Sequence, residues 1–416
     1  MLKGKKLQKK KYTKLINILE AISENCMCYG INVNLSSAKS KITIINLNTD
    51  NVEEKIKIRN NCLLGESKKS LINWDYEDVL GLIICGFEKN KENRKIIENK
   101  IKEAYKIDYS YQFKLMEDNI KIFGKEPLIL AEILLLSLSE KYENKNPDSI
   151  KLFIQFFVVL SNLFNIYIGR EITLPDKNLN IIKNLLMIIG QNYKDEKLCN
   201  KFSRMLIAWI DCSSTSSTIA SRINISARAD FIPSIVSGFI NCSGKKHTSA
   251  RIECAKFLLD IKKDLDILSI SVFQNKSELK KLLKNKIQSI IDNNCLVYGF
   301  GHYIFKGLDE KSYDPRIYVV KDGIKTIFPN SIYLEITNEI VSMFLNGDFE
   351  KNGIVFKLPP NSDIFWSSFL LDLFKNYNII PIELISLFNI LTRLAGIIAH
   401  SEEQYLEHKP IKITEV

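Results

Sequence analysis

Apolar residues recur with the spacing of helices from Trp74 onward. Apolar positions return every three or four residues in Lys281–Asn294 and again in Ser249–Lys262, as on one face of a helix. In the second segment this face is predicted to comprise Ile252, Ala255, Leu258 and Leu259. No repeat of 20–50 residues occurs, which argues against a solenoid. The pattern predicts an all-α fold.

Further helices are predicted by the same spacing at Trp74–Cys85, Lys91–Ala104, Leu128–Lys141, Ile150–Phe164, Leu179–Gly190, Lys194–Asp211, Ser331–Leu345, Phe365–Asn376 and Leu384–Ala399. Short β pieces are expected near the N-terminus, where Ile31–Leu35 alternates and Lys41–Leu47 is rich in isoleucine. The chain has no long Gly/Ser or Pro linker, so a second domain is expected to be inserted into the first.

One apolar stretch is long enough to suggest a membrane span. Leu152–Gly169 holds no charged residue over 18 positions. It also contains Gln155, Ser161 and two asparagines, which would be costly to place in lipid without partners. We therefore predict a buried core helix and no membrane association.

The net charge of +10 is concentrated at one end of the chain. Met1–Lys14 carries seven lysines and no acidic residue, so the remainder has a net charge of only +3. This tail is predicted to be a solvated arm, with an address or tether as the alternative. The nearly neutral body argues against a nucleic-acid partner and suits small anionic substrates better.

The cysteine pattern indicates free thiols. Nine cysteines are scattered without a CxxC pair, which favours a reducing compartment over a disulfide framework. No apolar run follows the basic N-terminus, so no secretory signal is predicted and a cytoplasmic location is expected. None of the four histidines has metal-ligand spacing, and we expect no metal and no permanently bound cofactor.

Three polar residues suggest acid–base chemistry. His302 ends the segment Val297–His302, in which two glycines let the backbone approach a ligand closely; the alternative is a tight turn. His247 precedes a predicted helix, where the dipole favours a neutral ring; a helix-capping region is the alternative. Asp363 is followed by bulky apolar residues that could raise its basicity, or it could cap the next helix.

Two arginines are candidates for binding carboxylates. Arg316 follows Asp314-Pro315, and Arg393 lies in an otherwise apolar helix, where a lone guanidinium is costly without an anion. An arginine fork can bind a carboxylate through two hydrogen bonds. For each arginine a structural salt bridge is the alternative.

Taken together, these segments resemble the citrate synthase family. Gly299-Phe300-Gly301-His302 with Asp314-Pro315-Arg316 resembles the family's central motif, and Gly244-Lys245-Lys246-His247 its glycine–histidine loop. Asn361–Ser368 is similar to the aspartate segment, and Thr392–Gln404 to the C-terminal arginine helix. Four motifs in the right order extend the likeness over about residues 70 to 410.

The resemblance implies a homodimer that condenses an acyl-CoA, most often acetyl-CoA, with a 2-oxo acid such as oxaloacetate. It implies Asp363 as the base, His247 as the donor to the thioester oxygen and His302 as the donor to the keto group. Arg316 and Arg393 would bind substrate carboxylates. Coenzyme A would lie against the segment Val297, Tyr298, Gly299, Phe300, Gly301 and against Lys306. A large helical domain, 1–246 with 366–416, would carry an inserted small domain, 247–365.

Several recognition positions depart from the family pattern. Cys212 stands where a further substrate-binding histidine is usual, Thr248-Ser249 replaces a pair of glycines, and Lys409 replaces an arginine that reaches the partner subunit's substrate. Tyr303 and Lys306 occupy the region where an arginine is common, whereas His400 and His408 are expected to be structural. The alternatives are therefore a homologue using propionyl-CoA or an unusual oxo acid, or a non-catalytic member that binds coenzyme A or an oxo acid.

Overall fold

Helices dominate the part of the chain that the computed structural model describes. The described residues are 40–46, 49, 51–123, 126–141, 148–213, 215–242, 244, 247, 250–302, 304–309, 312–377, 382, 384–407 and 411. Contacts divide the chain into two units, Ser40–Lys409 and Met1–Lys39 with Pro410–Val416. The lysine-rich tail Met1–Lys14 and the predicted β piece Ile31–Leu35 lie outside the described residues. The domain boundaries predicted at 247 and 365 stay a prediction.

The first half of the chain contains α1 (Tyr76–Cys85), α2 (Lys91–Ala104), α3 (Ser110–Asn119), α4 (Pro127–Leu136), α5 (Ser149–Tyr167), α6 (Ile181–Ile188) and α7 (Glu196–Ala208). The second half contains α8 (Ser216–Ser226), α9 (Phe231–Cys242), α10 (Ala250–Ile267), α11 (Lys276–Asp292), α12 (Ile317–Ile327), α13 (Ile332–Asn346), α14 (Ser362–Leu373) and α15 (Leu384–Glu407). The all-α prediction is confirmed.

The described strands form two small antiparallel sheets. The strands are β1 (Thr43–Ile45), β2 (Ile56–Ile58), β3 (Asn61–Cys62), β4 (Phe349–Lys351) and β5 (Ile354–Phe356). The order in the first sheet is β1-β2-β3, with Thr43 opposite Ile58. β4 and β5 form a hairpin that was not predicted from the sequence.

Helix ends follow local capping chemistry. Asp148 starts α5, where its carboxylate accepts the backbone N–H groups of Ile150 and Lys151 at 3.1 and 3.2 Å. These bonds satisfy donors that have no partner inside a first helical turn. Gly86 ends α1 with a left-handed backbone at φ 72°.

The two most apolar long helices lie inside the protein. α5 and α15 are long and apolar enough to cross a membrane by length and composition alone, but 89% and 100% of their apolar windows are buried within the fold. α15 packs against α1, α5, α8 and α9. The buried position of α5 is the one predicted for a core helix.

Two packing contacts position the polar residues of interest. α10 lies against α14, which places the first turn of one helix beside the first turn of the other. α12 packs against α7, whose C-terminal end leads into Trp209–Cys212. The His247, Asp363 and Arg316 regions therefore belong to helix ends that the core holds in place.

Candidate active site

The segment Val297–His302 is joined by backbone hydrogen bonds to the residues that precede α14. Gly301 N–H donates to the Pro359 carbonyl at 2.8 Å, and Asn361 N–H donates to the Gly299 carbonyl at 2.8 Å. Phe300 and Pro360 form an antiparallel β-bridge. This pairing ties His302 to the start of the helix that carries Asp363.

Gly299 is the glycine that this arrangement requires. Its φ is +87°, and a Cβ built there would lie 2.6 Å from Ile364 Cβ and 3.2 Å from Cys254 Sγ. Gly301 also has a positive φ, +78°, but its Cβ would meet nothing within 4 Å.

We expect Gly299→Ala to lower the free energy of unfolding by about 2–5 kcal/mol, because a left-handed L-residue costs about 1–2 kcal/mol and overpacking about 1–3 kcal/mol. Gly301→Ala carries only the backbone cost, about 1–2 kcal/mol, and is the matched control. Urea denaturation of both variants measures the difference. Equal destabilisation of the two would contradict the close packing of Gly299 on α14.

The His302 ring is held by backbone N–H groups of the residues that follow it. Its Nδ1 accepts hydrogen bonds from Ile304 N–H at 3.0 Å and Phe305 N–H at 3.1 Å. An accepting Nδ1 assigns the ring proton to Nε2. Burial lowers the pKa of His302, opposed by the charge of Asp314 and reinforced by that of Arg316. The ring is therefore neutral at pH 7, with Nε2–H as its donor.

His247 lies between α9 and α10. Its Nε2 is 3.3 Å from Ser217 Oγ and 3.9 Å from Cys242 Sγ. Burial lowers the pKa of His247 to about 4; the positive charge of Arg393 acts in the same direction and Asp363 opposes it. Like His302, it is a neutral imidazole at pH 7, which suits a hydrogen-bond donor to a developing oxyanion.

The low pKa of His247 predicts a pH dependence of stability. An unfolded histidine titrates near 6.5 and the folded one near 4, so the unfolded state binds the extra proton first as the pH falls. We expect wild-type stability to decrease between pH 6.5 and 4 more steeply than that of His247→Gln. Urea midpoints at half-unit pH steps test this. Parallel curves for the two proteins would show that His247 keeps an ordinary pKa.

Asp363 occupies the first turn of α14 but does not cap it. Asn361 is the capping residue, and its side-chain oxygen accepts the Asp363 N–H at 3.2 Å. The Asp363 carboxylate instead points to α10, where Arg251 Nε donates to Oδ1 at 2.9 Å. The Asp363 side chain is 18% exposed and that of Arg251 only 3%. A solvent-accessible carboxylate thus lies against a buried guanidinium.

Arg251 was not predicted as a site residue from the sequence. Of the predicted α10 face, Ile252, Ala255 and Leu258 are buried, and only Leu259 is exposed, at 40%. Arg251 is also buried, one residue before Ile252, so the buried face is wider on that side than predicted. An arginine on the apolar face of α10 was the signal that could have identified it.

Arg316 forms the structural salt bridge that was its alternative assignment. Its Nε donates to Asp314 Oδ1 at 2.9 Å and its Nη2 to Oδ2 at 2.8 Å, with both residues buried. Its guanidinium lies over the rings of Trp209 and Phe305, at 5.0 and 5.7 Å from the centroids. Burial alone would raise the pKa of Asp314, but the Arg316 charge holds it below its usual range.

Cys212 and Arg393 lie near this pair. The Cys212 thiol is buried and within hydrogen-bonding reach of the Arg316 guanidinium. Arg393, on α15, donates from Nη1 to the Trp209 carbonyl at 3.3 Å. Its charge acts on both His247 and Asp211. The structure therefore brings Cys212, Arg316 and Arg393 to one region around Trp209.

His400 anchors the same segment. It is fully buried, and its Nε2 lies 3.0 Å from Asp211 Oδ2. Burial would raise the pKa of Asp211, but His400 and Arg393 lower it to about 2. His400 thus fixes the residue before Cys212 from inside the core, as expected of a structural histidine. His408 lies outside the described residues.

The predicted coenzyme A segment is partly buried. Val297 and Gly299 are buried, Tyr298 and Phe300 are half-buried, and Phe300 packs on Phe344 with ring centroids 4.4 Å apart. Lys306 is exposed. Phe300 thus packs against α13, and exposed Lys306 is open to an anionic ligand.

Several predicted positions lie outside the described residues: Lys245, Lys246, Thr248, Ser249, Tyr303 and Lys409. Within the part of the chain that is described, no group of three histidine, cysteine or acidic side chains could hold a metal ion. The seven described cysteines are all free thiols.

Comparison with known proteins identifies the family of the chain. The family model for the citrate synthase C-terminal domain matches residues 34–414, and the chain belongs to the citrate synthase family. Citrate synthase of Haloferax volcanii is 23% identical over 246 residues, a match that covers 59% of this chain and 56% of that protein. The chain thus matches little more than half the length of this curated relative.

Solved citrate synthases share the fold. The Thermotoga maritima enzyme superposes with a TM-score of 0.68 at 18% identity, covering 92% of this chain and 94% of the other. A ternary complex of the Thermoplasma acidophilum enzyme with carboxymethyl coenzyme A and oxaloacetate gives 0.68 at 14% identity, covering 92% and 93%. The Pyrobaculum aerophilum enzyme gives 0.66 at 18%, covering 90% and 88%.

Proposed function

We propose that the protein is a condensing enzyme that joins an acyl-CoA, acetyl-CoA, to a 2-oxo acid, oxaloacetate, and then hydrolyses the thioester to release CoA. The proposal rests on one observation: the segment that ends in His302 and the helix that follows His247 both contact the start of α14, which carries Asp363. Backbone hydrogen bonds of Gly301 and Asn361 make the first contact, and the Arg251–Asp363 ion pair makes the second. Two neutral donors and one carboxylate are the groups that an enol-forming condensation needs.

The roles follow from the chemistry of each group. Asp363 takes the α-proton of the thioester, and the His247 ring donates a hydrogen bond to the thioester oxygen as negative charge develops there. The enol carbon attacks the keto carbon, and His302 passes its Nε2 proton to the alkoxide that forms. The ring then regains a proton from the water that hydrolyses the thioester. Water attacks the resulting acyl-CoA thioester, which gives a hydroxy acid and CoA.

The remaining predicted ligands belong to the same proposed site. Arg393 supplies positive charge for the oxo acid, and Cys212 and Lys409 complete the proposed recognition set. Arg316, whose guanidinium is paired with Asp314, lies beside Cys212 in this set. Coenzyme A lies along Val297–Gly301 and Lys306. The proposal includes a cytoplasmic homodimer, in which Lys409 of one subunit serves the substrate of its partner.

Release of free thiol from acetyl-CoA tests the reaction. A panel of 2-oxo acids is offered one at a time, and thiol release with oxaloacetate is the expected result. Release only with propionyl-CoA or with another oxo acid would redirect the substrate assignment. No release with any pair, despite measurable CoA binding, would refute turnover and leave a binding protein.

A further inference from the structure

Arg251 combines an ion pair with unsatisfied donors. Its guanidinium is 3% exposed and meets Asp363 through one hydrogen bond, Nε to Oδ1 at 2.9 Å. Its Nη1 is buried and has no hydrogen-bond partner among the described residues. The face of the guanidinium lies 5.4 Å from the Trp366 ring centroid, which restricts its movement. A buried guanidinium nitrogen without an acceptor is costly, which indicates that an anion completes this site.

The neighbouring arginines differ in how much of their hydrogen-bonding capacity is used. The Arg316 guanidinium donates two hydrogen bonds to the Asp314 carboxylate, which neutralises its charge. Arg393 donates to a backbone carbonyl and makes no ion pair with any residue that the structure describes. The uncommitted positive charge beside Asp363 therefore comes from Arg251 and Arg393, both of which act on His247.

We propose that Arg251 binds a carboxylate of the 2-oxo acid and that Asp363 occupies this position in the ligand-free enzyme. The inference rests on the proposed condensation. Arg251 is not among the residues to which the family resemblance gives a role in substrate binding. The monodentate contact leaves Nη1 for a second carboxylate, which satisfies the open donor and shares the positive charge with Asp363.

This arrangement would place the substrate carboxylate and the Asp363 carboxylate on the same guanidinium. Two carboxylates on one cation share its positive charge and repel each other. Binding of the oxo acid therefore loosens the contact between Asp363 and Arg251 and leaves the Asp363 carboxylate available to the acyl-CoA.

Isothermal titration of oxaloacetate, and separately of CoA, tests the inference. We expect Arg251→Gln to weaken oxaloacetate binding by about tenfold or more and to leave CoA binding unchanged. Arg251→Lys should give an intermediate loss, since it keeps the charge without the fork. Lys262→Gln removes a half-buried positive charge from the same helix, paired with Asp266, and is the matched control. Asp363→Asn removes the competing carboxylate and should tighten oxaloacetate binding.

The outcomes are separable from those of the proposed function. If Arg251→Gln binds oxaloacetate like the wild type while the wild type turns over, the inference about Arg251 is refuted alone. If the wild type binds no 2-oxo acid, both proposals are refuted. Should Arg251→Gln not fold, Asp363→Asn decides: weaker oxaloacetate binding in that variant contradicts competition for Arg251.

Discussion

Asp363→Asn is expected to abolish nearly all thiol release, with kcat lower by about 10²–10⁴-fold, because the amide cannot accept the α-proton. Oxaloacetate binding should persist and become tighter, since the carboxylate that competes for Arg251 is gone. Single-turnover measurements of thiol release with saturating substrates check the first expectation, and titration of oxaloacetate checks the second.

A second carboxylate on the same helix provides the control. Asp372 lies nine residues further along α14, where the Ser331 hydroxyl donates to it and burial raises its pKa to about 6. Asp372→Asn makes the same exchange of carboxylate for amide at a buried position but should keep turnover near that of the wild type. An active Asp363→Asn variant, or an equal loss in both, would exclude Asp363 as the base.

The largest expected effect on stability comes from Asp314. Asp314→Ala leaves the buried Arg316 guanidinium without its counter-ion, and breaking such a pair costs about 3–5 kcal/mol. Asp322→Ala removes an ion pair to Lys201 from the neighbouring helix α12, where the carboxylate side chain is 48% exposed. That control should cost less than about 1 kcal/mol.

A double variant separates the lost pair from the uncompensated charge. Replacing Arg316 by Met in the Asp314→Ala background removes the buried cation, so stability should recover in part. Chemical denaturation of the two single variants and the double variant closes the cycle. Additive losses would mean that the two side chains do not interact as the bidentate geometry indicates.

Much of the secondary structure could be predicted from the sequence, because most helices have a clear apolar face. Lys91–Ala104 was predicted with its observed bounds, and Leu384–Ala399 with its observed start. α8 and α9 were not predicted, since serines crowd the first, and Pro233 and Gly238 interrupt the second. Tertiary packing outweighs these local preferences: a Cβ at Gly238 would lie 2.9 Å from the Ser217 carbonyl.

The amino-acid sequence alone predicts the helical class, the order of the four motifs and the candidates His247, His302 and Asp363. These predictions depend on local spacing and on residue type, which can be read along one chain. Which charged side chains meet depends on the tertiary fold. Arg251 and Asp363 are 112 residues apart, and His400 and Asp211 are 189 apart. Such pairs depend on how helices pack, because burial makes an ion pair strong only where the fold brings the partners together and excludes water.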